Sequence, residues 1–461
     1  MTQVEVDVVV VGLGPGGERA AAALARAGLE VVGVEMHLVG GECPYYGCIP
    51  TKAMVRASNA LAEARRAGDL AGEVDVRADW SVVAPRVAEA ARNWDDARPT
   101  AALEDAGVRV VRGRGRLDGP GRVVVGDDIF LARRGVILDP GTAPADLSIP
   151  GLRETKPLTN RDIVRLSDAP ASLIVIGGGP IGCELAEVFA RFGTAVTVLE
   201  VGPRLLSREE PEASAVIAEV FAREGIDARA AVRIDHVDRV ADGVTVTLAD
   251  GVVHAREILV AAGRSPNLDG LGLESVGATV THGTVAVDDR MRAADGVWVL
   301  GDVVGHGAFT HVSVYQADIA VADLLTPDAG PNAEYHAVGR VTFTDPEVGS
   351  VGLTEQQARE QGLDVRVATV SVPASTRGWL HGPGGDGVVK LVAADLPGAT
   401  DPAASVLVGA TVVGPMGGEV LSMLTLAVHT RIPLTTLAGM HYAFPTFHRD
   451  VLFAVQQLLD R

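Results

Sequence analysis

Apolar positions open the chain. Residues 4–11 read VEVDVVVV, a strand whose polar positions are confined to its start. A glycine-rich turn follows, then an alanine-rich stretch with helical spacing, a stop at Gly28 and a second apolar strand ending at Glu35. Residues 173–200, LIVIGGGPIGCELAEVFARFGTAVTVLE, repeat the plan: strand, glycine turn, helix, a stop at Gly193, strand and Glu200. A strand–turn–helix–strand unit written twice predicts two nucleotide-binding folds within one α/β chain.

The glycines give these units their chemistry. The first copy has Gly12, Gly14 and Gly17, and the second has Gly177, Gly179 and Gly182, each in the spacing Gly-x-Gly-x-x-Gly. The first glycine permits the tight turn, the second lets a pyrophosphate approach the backbone, and the third lets helix and strand pack closely. The helix N-terminus then favours the phosphates. Glu35 and Glu200 each lie 23 residues past the first glycine of their unit. There a carboxylate accepts hydrogen bonds from ribose hydroxyls. Glu200 favours a free 2′-hydroxyl and repels a 2′-phosphate, so NADH is expected over NADPH. Arg204, four residues on, works against that preference.

Composition narrows the class. At 461 residues the chain exceeds one core, and 47% hydrophobic with 21% charged residues describes well-packed domains. A net charge of −19 argues against a nucleic-acid binder, which needs a basic face. There is no charged n-region before a cleavable apolar stretch, and no apolar run of about 20 residues for a membrane span, so a cytoplasmic protein is expected.

Only three cysteines occur, Cys43, Cys48 and Cys183, and only three lysines, Lys52, Lys156 and Lys390. Cys43 and Cys48 fall in GGECPYYGCIPTKAMVR (residues 40–56). Along a regular helix they would be about 7.5 Å apart in rise, beyond the Cα separation of about 4.4–6.8 Å that a disulfide tolerates. A redox pair therefore needs a distorted turn, for which Pro44 and Gly47 are placed. Thiols near a helix N-terminus are expected to have depressed pKa values. A metal-binding pair and two buried thiols are the alternatives, and Cys183 reads as a small core residue.

This stretch resembles the FAD-dependent pyridine nucleotide-disulfide oxidoreductases of the dihydrolipoamide dehydrogenase and glutathione reductase group, through Gly40, Gly41, Cys43, Cys48, Pro50 and Lys52. The resemblance implies tightly bound, non-covalent FAD, with Cys48 against the flavin, Cys43 as the outer thiol, and Lys52 paired with Glu184. It extends through LVAAGRSPN (259–267, with Gly263), the Gly301-Asp302 pair whose aspartate would bind the ribityl chain, and VTFTDPEVGSVGLTEQQA (341–358) at the start of a dimer-forming domain. The implied organisation is two Rossmann-like dinucleotide-binding domains plus a C-terminal α+β dimerisation domain. Its boundaries are 1–150 and 265–335 for FAD, 151–264 for NAD(P), and 336–461 for the homodimer interface.

Two departures stand out. ILDPGTAP (137–144) replaces the family's Ala-Thr-Gly turn, although Gly141 remains. Near the C-terminus, the family's His-Pro-Thr-x-x-Glu acid–base segment reads HYAFPTFHRD (441–450), with Phe444 at the histidine position and Arg449 at the glutamate position. His448, read as following a Thr446 N-cap, and His441 are the candidates to move the proton instead. Tyr45, Tyr46, Tyr442, Phe444 and Phe447 suggest a flat or apolar substrate, or else core packing. No cysteine follows Cys183, which sets aside mercuric and large thioredoxin reductases. A disulfide or dithiol substrate is expected. A quinone or other acceptor reductase is the runner-up, and a nucleotide-binding redox sensor is third.

Overall fold

The computed structural model describes residues 2–395 and 405–460. The chain divides into two compact units. One comprises Met1–Thr51, Pro85–Asp146 and Arg264–Tyr335; the other comprises Lys52–Ala84, Leu147–Gly263 and His336–Arg461.

The first unit is built on a sheet whose central strands are parallel. Gln3–Val11 lies between Val31–Glu35 and Asp128–Leu138, and Val297–Val299 adds to the far side of Asp128–Leu138. The register pairs Val11 with both Val34 and Leu138, so Val34 and Leu138 end level with Val11 at the carboxyl edge. Ligands bind at that edge in open parallel sheets. Val8, Val9 and Val10 are fully buried, which explains the unbroken apolar run read from the sequence. The helix Pro15–Arg26 packs one alanine-lined face, including Ala20, Ala21 and Leu24, against this core. Gly17 permits that approach: a Cβ there would lie 2.0 Å from the Gly12 carbonyl oxygen.

The second unit holds three sheets. Four parallel strands run in the order Asp227–Arg229, Ala195–Leu199, Ser172–Ile176, Glu257–Val260, with the helix Pro180–Arg191 following the second glycine turn. The strands Ile234–Val240, Gly243–Leu248 and Gly251–Ala255 form an antiparallel sheet. Five further antiparallel strands run in the order Gly339–Thr342, Glu347–Gly352, Val406–Gly414, Val388–Ala394, Val365–Ser371. The helices Gly417–Thr430 and His448–Leu459 bury Leu421, Leu424, Val451 and Val455 in the core of that sheet. No helix among the described residues is long and apolar enough to cross a membrane.

Lys390 ties these layers together. It is 3% exposed, and its ammonium reaches Glu210 (3.0 Å), Glu212 (2.9 Å) and Glu355 (3.0 Å). Burial alone would lower its pKa, but the hydrogen bonds it donates to the three carboxylates outweigh burial and hold it above the ordinary lysine value. Replacing one partner of a buried ion pair leaves uncompensated charge. Lys390→Met is therefore expected to cost about 3–5 kcal/mol, read as a lowered midpoint in denaturant unfolding. An unchanged midpoint would contradict the role given to this cluster.

Candidate active site

The first glycine turn is closely built. Gly12 has φ +89°, and a Cβ on it would lie 2.1 Å from the Asp139 carbonyl oxygen. Gly14 precedes the helix, with Pro15 at its first position. Gly41, at φ +68°, packs against Gly14, whose Cα would be 2.9 Å from a Cβ there. Glu35 ends its strand buried, and its two carboxylate oxygens accept from Leu13 N (2.8 Å) and His37 N (2.7 Å). Gly141 sits at φ +62° in the turn after Asp128–Leu138. Asp302 accepts from the Thr142 hydroxyl at 2.5 Å, and Arg264 in turn donates to that hydroxyl at 2.6 Å. Ser313 Oγ is buried without a hydrogen-bond partner, close beside Gly16 and Gly301. A turn with no room for side chains, a fixed acid at the strand end and an orphaned buried hydroxyl fit a dinucleotide such as FAD.

The second turn repeats the first. Gly177 has φ +110°, and a Cβ on Gly182 would lie 1.9 Å from the Gly177 carbonyl oxygen. Gly179 precedes the helix, again with Pro at its start. Glu200 accepts from Gly178 N at 2.6 Å and Gly202 N at 2.5 Å. Arg204 is spent on backbone, donating to the carbonyls of Ser207 and Glu209, both at 2.7 Å. Gly263 lies exposed at φ +102° beyond the strand Glu257–Val260.

The cysteine segment breaks where the spacing argument requires. A short helix, Glu42–Tyr45, ends at Tyr46 (φ −136°, ψ −10°), Gly47 follows, and a new helix, Cys48–Leu70, begins. Tyr45 fixes the break: it is fully buried, its hydroxyl donates to Val39 O at 2.9 Å, and its carbonyl accepts from Trp94 Nε1 at 3.0 Å. The outcome is two free thiols, Cys43 half-buried and Cys48 exposed, hydrogen-bonded to each other. The expectation of depressed thiol pKa values fails for Cys43. Its hydrogen bond with Cys48, then burial, then the charge on Cys48 push it far above the ordinary thiol range. Two sulfurs sharing one proton release the second only against the charge of the first. Thr310 was not foreseen, since 262 residues separate it from Cys48; its hydroxyl lies 3.9 Å from Cys48 Sγ and also hydrogen-bonds Cys43.

One turn past Cys48 on the same helix stands Lys52. Its ammonium reaches Glu184 Oε2 at 2.6 Å and sits 4.7 Å from the centroid of the Phe343 ring. Glu184 is 5% exposed in its side chain, and its other oxygen accepts from Phe343 N at 2.8 Å. The pair thus forms as the resemblance implied, with Phe343 as an added support. Cys183, next to Glu184, is fully buried and donates to Gly178 O at 3.3 Å.

The C-terminal segment differs from expectation in its helix cap. Thr446 does not cap the last helix: its hydroxyl turns back to Ala443 O (2.8 Å), and the N-cap is Phe447, followed by His448 as the first helical residue. Tyr45 and Phe447 belong to the core, and Tyr442 donates to Leu437 O (3.0 Å), which leaves Phe444, 68% exposed, as the most open of the singled-out aromatics. Arg449 lays its guanidinium 5.3 Å from the Phe444 ring centroid and 5.7 Å from that of Phe453, with Nε buried and unpartnered. These three side chains, with Thr376, Arg377 and Asp450, line a small cleft. His441 is exposed and His448 half-buried. Among the described residues, no cluster of three or more His, Cys, Asp and Glu side chains could hold a metal ion.

Residues 6–317 match the pyridine nucleotide-disulphide oxidoreductase family, and residues 338–454 match that family's dimerisation domain. The chain belongs to this family of FAD-dependent oxidoreductases. It is 32% identical to the dihydrolipoyl dehydrogenase of Geobacillus stearothermophilus, covering 99% of this chain and 97% of that protein. It is also 32% identical to a mercuric reductase of Streptomyces lividans, over 98% and 95% of the two chains. Among solved structures, the HOCl-induced flavoprotein disulfide reductase RclA of Escherichia coli superposes with a TM-score of 0.84 at 25% identity, covering 98% of this chain and 99% of RclA. LpdA of Mycobacterium tuberculosis gives a TM-score of 0.84 at 27% identity, covering 99% and 100%. The protein is thus a flavoprotein that uses a pyridine nucleotide, FAD and a redox-active disulfide centre.

Removing the Lys52 ammonium leaves the Glu184 carboxylate buried with, among the described residues, the Phe343 N–H as its remaining donor. Lys52→Met is expected to lower stability by about 1–3 kcal/mol in chemical denaturation, with Lys52→Arg recovering most of the loss. Equal loss in both variants would contradict a charge-pairing role.

Proposed function

We propose that the protein is an NADH-dependent reductase of a small disulfide, with Cys43 as the thiol that meets the substrate. The observation that carries this reading is the broken helix, which brings Cys43 and Cys48 into hydrogen-bond contact. The first unit, through Gly12, Gly14, Gly17, Glu35, Gly41, Gly141 and Asp302, holds FAD. The second, through Gly177, Gly179, Gly182 and Glu200, holds the nicotinamide nucleotide, with Gly263 at the end of its sheet. Arg204, committed to two carbonyls, is not available to a 2′-phosphate, which supports NADH. When bound, FAD relays the electron pair from the nicotinamide to the cysteine pair. The remaining steps belong to the chain. The Cys43–Cys48 disulfide is reduced to two thiols. The Cys43 thiol then gives up its proton as its sulfur attacks the substrate disulfide, forming a mixed disulfide and expelling one substrate thiolate, which takes that proton up. Cys48 attacks Cys43, which restores the internal disulfide and expels the second. NADH, a proton and one disulfide thereby become NAD⁺ and two thiols. Lys52, held by Glu184, places a fixed positive charge one turn from Cys48.

The proton handling sets this chain apart. Phe444 carries no proton and Arg449 cannot orient an imidazole as a carboxylate does, so His448 or His441 moves the proton in the assembled homodimer, in a cytoplasmic setting that keeps the pair reducible. The same substitution favours a second reading, reduction of a quinone or similar acceptor directly from the flavin, which needs no such base. The variant Cys43→Ser separates the two. On the disulfide reading it keeps FAD and loses turnover of disulfide substrates. Unchanged disulfide turnover would overturn that reading, and retained quinone reduction alone would favour the second.

A further inference from the structure

The turn that departs from the family, Asp139-Pro140-Gly141, puts a carboxyl group where the first nucleotide fold offers its N–H groups. Asp139 directly follows the strand Asp128–Leu138, and its own N–H donates to Val11 O at 2.8 Å. The residue is 7% exposed. Its Oδ2 accepts from Gly17 N at 2.8 Å, and Gly16 N donates to the same carboxyl group. The first turn of the helix Pro15–Arg26 then has nothing left to offer. Pro15 carries no N–H, Gly16 and Gly17 are taken by Asp139, and Glu18 N donates to Gly14 O at 2.8 Å. A pyrophosphate in a fold of this type depends on the N-terminus of that helix.

We propose that Asp139 makes flavin binding proton-linked: its carboxylate and the pyrophosphate of FAD draw on the same helix N-terminus, so binding FAD loads a proton onto Asp139. The inference rests on FAD occupying the first unit. Among the described residues, none supplies an offsetting cation in contact with Asp139. Glu35 from the neighbouring strand and Asp302 from the Gly301-Asp302 turn both disfavour its ionised form, while the Gly16 and Gly17 N–H groups favour it. On the helix itself, Glu18 is raised to about 7 by burial, eased by Arg92 and reinforced by Glu35. Arg264 lies 4.0 Å from Asp302 and is shared with Thr142 and Glu42. On the other side Asp139 abuts Gly301 and the unpartnered Ser313 hydroxyl lies close by. Burial raises the Asp139 carboxyl to about 7, and the doubly charged pyrophosphate raises it further. Below pH 7 Asp139 is already protonated and FAD affinity is flat. Above pH 7 each binding event takes up one proton, so the dissociation constant rises about tenfold per pH unit.

The test dilutes the holoprotein to nanomolar concentration between pH 6 and pH 9 and measures released FAD by its fluorescence. The wild-type dissociation constant should rise about tenfold per pH unit above pH 7. Asp139→Asn keeps an acceptor for Gly17 N without a titrating proton, and should bind FAD with no such slope. Glu18→Gln, which removes the other group that titrates near there, should keep the slope. Displacing FAD from wild type in weakly buffered solution at pH 8 should release about one proton per FAD, a readout that needs no variant. A flat wild-type profile, or a slope that survives in Asp139→Asn, would overturn the proposal. Protein that carries no flavin at any pH would overturn the FAD assignment itself, and the linkage with it.

Discussion

The chemistry depends on one interruption of a helix. Cys43 and Cys48 are five residues apart, and regular helical geometry would keep their sulfurs from meeting. Tyr46 and Gly47 stop one helix and start another between them. The break is held by burial and not by flexibility: Tyr45 is fully enclosed and hydrogen-bonded through both its hydroxyl and its carbonyl. The same new helix carries Lys52 one turn on, where Glu184 and Phe343 hold its ammonium. The redox pair and the Lys52 ammonium are therefore set by one short stretch of backbone.

Carboxylates recur at the carboxyl edge of the first parallel sheet: Glu35, Asp139 and Asp302, with Glu18 one turn into the helix. Such a concentration of acids is costly unless each finds donors. Glu35 and Asp139 take backbone N–H groups, and Asp302 takes a threonine hydroxyl. The second unit solves its own problem with cations, placing Lys390 among three glutamates and Arg191 among Glu187, Glu224 and Asp345. The first arrangement leaves donors committed at a nucleotide edge, where a ligand must compete for them. The second locks layers together and has no such consequence.

Much of this was legible in the sequence because the governing constraints are local. Two glycine turns with an acid at fixed spacing announce two nucleotide folds, and a redox pair at the spacing of Cys43 and Cys48 demands a broken helix. What stayed hidden depends on contacts distant in sequence. Thr310 reaches the cysteines across 262 residues, and Phe343 reaches Glu184 across 159. Asp139 was visible only as a departure from a family turn, since its target, Gly17 N, lies 122 residues away. The direction of the Cys43 pKa was misread because a helix-terminus effect was weighed without the neighbouring sulfur, whose shared proton dominates. Thr446 satisfied the composition rule for a cap, yet it turns its hydroxyl to Ala443.

The central claim is that Cys43–Cys48 and the flavin both store electrons in one chain. Anaerobic reductive titration of the purified protein, followed by the flavin absorbance, tests it most directly. Complete reduction should consume about four electrons per subunit, an electron pair for the disulfide and a pair for the flavin, because thiol–disulfide couples transfer two electrons. Complete reduction after about two electrons per subunit would show that the cysteine pair does not take part, and would contradict the account.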